Sequence, residues 1–186
     1  EFYVSDRGAA SVPIDQNKLN GHTDGLIALS GAQQSDIGAA LLGGEKKAAE
    51  DALAQWMNLF PQSFYLEVQR VGRPREAEYI SRVIELAAKG SCPIVATNDV
   101  RFLNHIDFEA HEVRVCINEK RTLDDPRRKR ENTDQQYLKT ADEMFELFAD
   151  LPEALINASE IAKRCNLLLD IGTPKLPNYP VPDGKT

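Results

Sequence analysis

The stretch Cys92-Pro-Ile-Val-Ala-Thr-Asn-Asp99 decides the fold class of this 186-residue chain. Its apolar side chains follow one another almost without interruption, and the run ends in two polar residues, Asn98 and Asp99. A strand that is buried on both faces has this composition, and such strands form parallel sheets that are covered by helices. The stretch therefore predicts a strand over 92–97 in an α/β fold.

Two earlier segments predict further strands of the same sheet. Residues 25–30 are nearly all apolar, and residues 64–69 alternate, with Phe64, Leu66 and Val68 on one face. Between and after these strands, apolar side chains recur at helical spacing and predict helices over 36–42, over 45–59 and from Pro74 to Gly90. Strands that alternate with helices in this way are typical of a parallel sheet or a βα barrel, with the helices outside.

The remaining helices are predicted from their first residues. Asp36 and Asp107 are each placed to cap a helix. Thr140-Ala-Asp-Glu143 has the spacing of a capping box, and Pro152 lies where a further helix begins. A helical region is therefore expected in the last third of the chain.

Composition excludes several classes of protein. The net charge of −7 has the wrong sign for a chain that binds nucleic acid through its overall electrostatic field. No apolar run approaches the roughly 18 residues of a membrane span, so no membrane association is expected. The three widely spaced cysteines form neither a disulfide framework nor a metal knuckle. Three free thiols are typical of a protein of the reducing cytoplasm.

Two loops are candidates for a functional site, because chemistry in α/β folds is placed after the carboxyl ends of parallel strands. They are Gln69-Arg-Val-Gly-Arg73 and Asn98-Asp-Val-Arg101. Asp99 follows a buried strand directly, where a metal ligand or a general base would lie. An aspartate also caps loops at such positions, and this structural alternative stays open.

Other reactive side chains form weaker patterns. His22, His105 and His111 do not share the spacing of a metal site, which favours structural or surface roles. The basic cluster 127–130 is suited either to a phosphate contact or, as the preferred interpretation, to a solvated loop or a contact with another domain. The sequence has no phosphate-binding loop, no dinucleotide fingerprint and no nucleophile elbow, so catalysis by a nucleophile has no support.

Nine segments together carry a family resemblance, namely Gly25–Gly31, Asp36–Leu42, Phe64–Gln69, Gly72–Pro74, Pro93–Phe102, Asp107–Glu112, Thr122–Pro126, Glu146–Leu155 and Glu160–Asn166. Along nearly its whole length the chain resembles, through these segments, the bacterial replicative DNA polymerase III alpha subunits. The resemblance implies the later part of a polymerase and histidinol phosphatase (PHP) domain, which is a distorted (β/α)7 barrel, followed by a helical segment and a linker. The boundaries expected are 1–130 for the partial barrel, 131–170 for the helical segment that closes it, and 171–186 for a linker toward the polymerase domains.

The resemblance also implies that the metal site of the family is degenerate here. Metal-binding members carry histidines where this chain has Val71 and Arg101, and only Asp99 survives of those three positions. Valine has no ligating atom, and a guanidinium repels a cation. The family's opening strands with their His-x-His motif are expected before Glu1, and the magnesium-binding carboxylates of the polymerase beyond Thr186. No catalytic residue, confident metal ligand or cofactor is therefore expected here.

Three functions remain open from the sequence. The first is an inactive scaffold within a DNA-directed DNA polymerase that uses Mg²⁺. The resemblance implies that this scaffold docks the proofreading exonuclease subunit, while the rest of the parent chain meets DNA and other holoenzyme subunits. The second is an active metal-dependent PHP phosphoesterase or pyrophosphatase, against which Val71 and Arg101 argue. The third is an unrelated βα enzyme with Asp99 as its base.

Overall fold

A small parallel sheet lies at the centre of the chain in the computed structural model, which describes residues 16–169 and 172. Strand β1 is Ala28–Leu29, β2 is Phe64–Gln69 and β3 is Ile94–Thr97, and they are hydrogen-bonded in the order β1-β2-β3. Glu67 lies opposite Val95 in the register. The α/β class and the parallel strands are confirmed, but the described residues do not form the complete seven-stranded barrel.

Two strands are shorter than the sequence predicts, for local reasons. At the start of the segment predicted over 25–30, Gly25 has φ 74° and the Leu26 amide donates to the Thr23 carbonyl, so this part of the chain is a turn. The third strand begins at Ile94 rather than at 92. Pro93 has no amide hydrogen to give to the ladder, although its carbonyl accepts from the Leu66 amide.

Six α-helices surround the sheet in the described part of the chain. They are α1 (Asp36–Gly43), α2 (Lys46–Leu59), α3 (Glu76–Gly90), α4 (Phe108–Glu119), α5 (Ala141–Leu147) and α6 (Pro152–Arg164). Three 3₁₀ turns accompany them, at Gln16–Leu19, Ala32–Gln34 and His105–Asp107. The predicted helices are all present, and their bounds differ from the predictions by a few residues.

The helix caps are partly as predicted. The capping box of α5 is confirmed, since the Thr140 side chain accepts from the Glu143 amide and the Glu143 carboxylate accepts from the Thr140 amide. The cap of α1 is Ser35 rather than Asp36, because Ser35 has the extended backbone that a cap needs. Asp107 does not cap α4. Its carboxylate accepts from the Asn104 amide in the preceding 3₁₀ turn instead.

The apolar core lies between one face of the sheet and the helices. Leu66 and Val68 of β2 and Ala96 of β3 belong to it, and all three are buried. The helical side chains that complete this core include Ile37 and Leu41 of α1, Ala49 and Leu53 of α2, and Tyr79, Ile80 and Val83 of α3. We refer to this face of the sheet as the outer face.

The segment that follows the basic cluster is irregular rather than helical at its start. Residues 133–139, here called the strap, run beside the residues that follow β3. Tyr137 forms a bridge with Phe102, the Leu138 amide donates to the Phe102 carbonyl at 3.0 Å, and the Arg101 amide donates to the Gln136 carbonyl at 2.8 Å. Within the predicted segment 131–170, the described helices are α5 and α6.

Two predictions depend on which residues the structure describes. The predicted linker, 171–186, lies outside them except for Gly172. Within the described ranges, no helix combines the length and the apolar character that crossing a membrane requires.

Candidate functional site

The two loops singled out from the sequence meet at one edge of the sheet. Strands β2 and β3 are parallel neighbours, so the loops that follow Gln69 and Thr97 leave the sheet side by side. Arg73 from the first loop reaches Asp99 from the second, with Nη2 to Oδ2 at 2.5 Å. Asp99 itself has φ 43°, a left-handed backbone that aspartate adopts more readily than most residues. The parallel sheet therefore assembles a charged cluster from these loops.

Both carboxylate oxygens of Asp99 are engaged. Oδ1 lies 2.9 Å from Arg101 Nη2, with which it forms an ion pair. Oδ2 accepts from Arg73 and, at 2.8 Å, from the Gln136 side-chain amide. The side chains of Arg73 and Asp99 are 12% and 20% exposed, whereas that of Arg101 is 50% exposed. Arg73 is thus the shielded partner of Asp99, and Arg101 is the solvent-facing one.

Val71 is enclosed rather than facing an open site. Its side chain is fully buried, and its amide donates to the Glu76 carboxylate at 2.9 Å. The same carboxylate accepts from the Gly72 amide at 3.1 Å, and the Val71 carbonyl accepts from the Thr133 hydroxyl. The first turn of α3 and the strap therefore hold this loop from two sides.

A line of polar side chains continues from Arg73 across the inner face of the sheet, which is the face opposite the apolar core. Arg73 Nη1 donates to the Gln69 side-chain oxygen at 2.8 Å, and the Gln69 amide donates to Glu67 Oε1 at 2.9 Å. Glu67 is 8% exposed and also accepts from the Thr97 hydroxyl and from the Gly31 amide. The polar side chains on this face thus pair with one another, although Arg73 Nε is buried without a hydrogen-bond partner among the described residues.

Helix α3 and the strap connect this network to the rest of the molecule. The Tyr79 hydroxyl donates to the Glu67 carbonyl at 2.7 Å, and burial raises the pKa of Tyr79. On the strap, Lys139 donates to the Asn98 side chain at 3.2 Å, and burial lowers the pKa of Lys139. Both groups are held in place by partners from other elements.

The chemistry of this cluster does not fit a bound metal ion. No three His, Cys, Asp or Glu side chains lie close enough together to hold one ion within the described residues. Of the three positions in question, Val71 offers no donor atom and Arg101 offers a positive charge. The Asp99 carboxylate, which would bind a metal or a substrate proton, instead accepts hydrogen bonds from Arg73 and Gln136 and forms an ion pair with Arg101. The charge of Asp99 is thus neutralised by ion pairs with two arginines.

The other residues singled out from the sequence lie elsewhere. His105 is 3.1 Å from the Asp134 carboxylate, the His111 ring packs on Phe102 at 5.4 Å, and His22 is exposed. The basic cluster 127–130 is not a uniform solvated patch. The Arg128 side chain is only 4% exposed and pairs with Glu112 of α4, while Arg127 pairs with Asp125 on the surface.

Sequence reasoning missed the residues that complete the cluster. Arg73 lies in the polar loop that follows β2, next to the loop that follows the parallel strand β3. This position could have predicted its contact with Asp99. Gln136 lies 37 residues beyond Asp99 and in an unremarkable polar stretch, so no local pattern points to it. The buried Glu67 interrupts an apolar strand on the face opposite Leu66 and Val68, which is a second signal of a polar inner face.

Comparisons with known proteins are specific. The sequence model described as the PHP domain matches residues 2–71. The chain is 54% identical over 171 residues to a DNA polymerase III subunit alpha of Pseudomonas aeruginosa, which covers 92% of this chain and 15% of that protein. It is 46% identical over 184 residues to the protein of that name from Escherichia coli, with 99% of this chain and 16% of the relative covered.

A third relative, the DNA polymerase III subunit alpha of Haemophilus influenzae, is 46% identical over 181 residues, which cover 97% of this chain and 16% of that protein. The chain thus spans about one sixth of the length of these relatives. The matches agree with the resemblance that the sequence motifs indicated, and they extend over the sheet, the cluster and the strap. The chain is thus similar over nearly its whole length to one part of the DNA polymerase III alpha subunits, and its residues 2–71 match the PHP domain.

Proposed function

We propose that this chain is a metal-degenerate PHP scaffold within a bacterial replicative DNA polymerase, and that it docks the proofreading exonuclease subunit. DNA-directed DNA synthesis with Mg²⁺, contacts with DNA and contacts with further holoenzyme subunits would belong to the rest of the parent polypeptide. The setting proposed is the cytoplasm, and the chain itself is proposed to have no hydrolytic activity and no cofactor.

The scaffold proposal rests on one observation, which is that both carboxylate oxygens of Asp99 already have protein partners. A metal-dependent phosphoesterase needs open coordination positions and a water that the metal activates. Here the carboxylate of Asp99 is held by two guanidinium groups and an amide that is itself fully buried. Two positive charges beside one carboxylate take the electrostatic place of a cation, which supports a structural function for the cluster.

Metal content and hydrolysis test the scaffold proposal on the complete polypeptide that contains this chain. We expect no zinc, manganese or iron in stoichiometric amount after purification, and no release of phosphate from pyrophosphate or p-nitrophenyl phosphate above a buffer blank. We also expect a chelator to shift the melting temperature by less than about 1 °C, because a ligand stabilises only what it binds. Stoichiometric metal with hydrolysis that a chelator abolishes would establish the active phosphoesterase instead.

The docking proposal rests on the family alone, and a binding measurement tests it. The purified proofreading exonuclease subunit is titrated into the complete alpha subunit by calorimetry. A defined binding stoichiometry of one to one is expected. Loss of binding on deletion of residues 1–170, with polymerase activity retained, would place docking on this chain, and retained binding would contradict the proposal.

A further inference from the structure

Residues 100–139 lie outside the apolar core, and we call this segment the flap. It contains the 3₁₀ turn His105–Asp107, α4, the basic cluster and the strap. No apolar side chain of the flap belongs to the core or packs against it. After Ala96 of β3, the next apolar side chain along the chain that packs with the core is Met144 of α5. Apolar burial is the main source of stability in a folded domain, so the flap lacks the contribution that holds the sheet and its helices together.

The flap is held together by its own side chains. The rings of Phe102 and Phe108 pack on each other with their centroids 5.8 Å apart. Glu112 of α4 forms the buried ion pair with Arg128 and accepts from the Asn132 side chain at 3.1 Å. The strap joins the same unit through its bridge to Phe102. These contacts connect α4, the basic cluster and the strap, so the flap is one unit rather than a series of independent loops.

The charged cluster attaches the flap to the sheet. The Gln136 side-chain amide, which is fully buried, donates to the Asp99 carboxylate at 2.8 Å and to the Asp99 carbonyl at 3.2 Å. Arg101, at the start of the flap, forms its ion pair with the same carboxylate at 2.9 Å. Both ends of the flap therefore meet at Asp99, the residue that follows β3 and precedes the flap.

Further hydrogen bonds join the strap to the loops after β2 and β3. The Asn98 side chain donates to the Tyr137 carbonyl at 2.6 Å and accepts from Lys139 at 3.2 Å. The Thr133 hydroxyl donates to the Val71 carbonyl. Water can replace each of these partners when the flap moves away, so each bond adds less net stability than the burial of a large apolar side chain. The contacts that close the flap are thus weaker than those that hold the sheet to its helices.

We propose that the flap opens as one unit while the sheet stays folded, and that the Asp99 cluster is the latch that keeps it closed. Opening releases Gln136 and Arg101 from Asp99 together and leaves Arg73 as the charged partner of that carboxylate. The flap has two buried apolar side chains, Phe102 and Cys116, and a segment with so small a core does not stay folded once it is detached. The opening is therefore a local unfolding. This inference is independent of the docking proposal.

Native-state hydrogen exchange tests the inference on the complete polypeptide that contains this chain, with peptide mass spectrometry as the readout. The amides of α4 and the Leu138 amide of the strap are expected to exchange at least about a hundredfold faster than the amides of β2 and β3. The exchange of α4 and of the strap should also depend equally on low concentrations of denaturant, because one opening event exposes both. Exchange of the flap at the rate of the sheet, or different denaturant dependences for α4 and the strap, would overturn the inference.

Two adjacent glutamines provide a matched pair of variants for the latch. Gln136→Ala removes the amide that donates to Asp99, whereas Gln135→Ala removes an amide that donates to Asp134 within the strap itself. Gln136→Ala is expected to raise the exchange rates of α4 and the strap about tenfold, because the hydrogen bonds to Asp99 form only when the flap is closed. The rates of β2 and β3 should stay within about twofold. Gln135→Ala should leave all of these rates within about twofold.

The comparison between flap and sheet makes each result with Gln136→Ala decisive. Unchanged exchange of the flap would show that the cluster is not the latch. A rise of similar size in α4 and in the two strands would show that the cluster supports the whole fold, and the inference would be wrong. Faster exchange of the flap beside unchanged exchange of the sheet supports the inference, and it also shows that the variant remains folded.

Discussion

The two faces of the sheet differ in the interactions that hold their side chains in place. On the outer face, Leu66, Val68 and Ala96 are buried against helices by apolar contact, which needs no particular partner atom. On the inner face, the side chains of Glu67 and Gln69 make hydrogen bonds with specific donors and acceptors. Apolar burial tolerates many neighbours, whereas a buried polar group depends on each partner. The predictions below test this contrast.

The largest effect is expected on the outer face. Leu66 is fully buried, so Leu66→Ala should lower the free energy of unfolding by about 3 kcal/mol through lost transfer energy and a residual cavity. Chemical denaturation of the PHP domain measures this loss. The exposed Leu103→Ala is the control and should cost less than about 0.5 kcal/mol. A loss below 1 kcal/mol for Leu66→Ala would mean that the core closes around the cavity.

The next effect is expected at the shielded end of the inner face. Arg73→Ala leaves the Asp99 carboxylate, 20% exposed, with Arg101 and Gln136 as partners and frees Gln69 as well. Loss of a fully buried partner costs about 3–5 kcal/mol, and partial exposure reduces this to about 2 kcal/mol. The same denaturation experiment measures the loss. If Arg73→Ala left the free energy of unfolding unchanged, the polar side chains of the inner face would not contribute to the stability of the fold.

A smaller effect is expected for the solvent-facing partner of the same carboxylate. Arg101→Ala should cost about 0.5 kcal/mol, because the Arg101 side chain is half exposed and Asp99 keeps Arg73 and Gln136. Raising the salt concentration to 1 M should reduce the difference further. A cost of 3 kcal/mol or more would show instead that Arg101 acts as a buried replacement for a lost cation.

The smallest effect at neutral pH concerns the thiols. Burial raises the pKa of Cys92 to about 11, whereas Cys165 is exposed. In the unfolded chain the Cys92 thiol has its ordinary, lower pKa, so it ionises at a lower pH than the folded thiol and ionisation favours unfolding. The contribution of the neutral Cys92 thiol to the free energy of unfolding is therefore complete below about pH 8.5 and is lost as the pH rises through 11. At pH 8, iodoacetamide should modify Cys165 within minutes and leave Cys92 unmodified, as peptide mass spectrometry shows. Equal modification would mean that the β3 end of the core opens readily.

The sequence was a good guide to the outer face and a poor one to the inner face. Apolar spacing is local, so β2, the helices and the parallel order could be predicted from runs such as 64–69. The charged cluster joins residues 26 and 37 positions apart, Arg73 to Asp99 and Asp99 to Gln136, and no local pattern encodes such pairings. The two loops were predicted because the rule for parallel strands is general, but the choice of partner depends on side-chain geometry.

The helix starts illustrate the same limit on a smaller scale. Ser35 and Asp36 are both good capping residues, and only the extended backbone of Ser35 decides between them. Asp36 instead accepts a hydrogen bond from the Trp56 indole at 2.9 Å, which joins α1 to α2. Local capping preferences therefore predicted that a helix begins here but not which residue caps it.

The left-handed backbone at Asp99 restricts which alleles can persist at this codon. Aspartate, asparagine and glycine accept φ 43° at little cost, whereas β-branched or bulky residues do not. A change to valine would therefore be penalised twice, through its backbone and through the loss of both arginine contacts, while a change to asparagine would be penalised only through charge. Backbone shape alone thus favours aspartate, asparagine or glycine at this position, with or without any metal chemistry at the site.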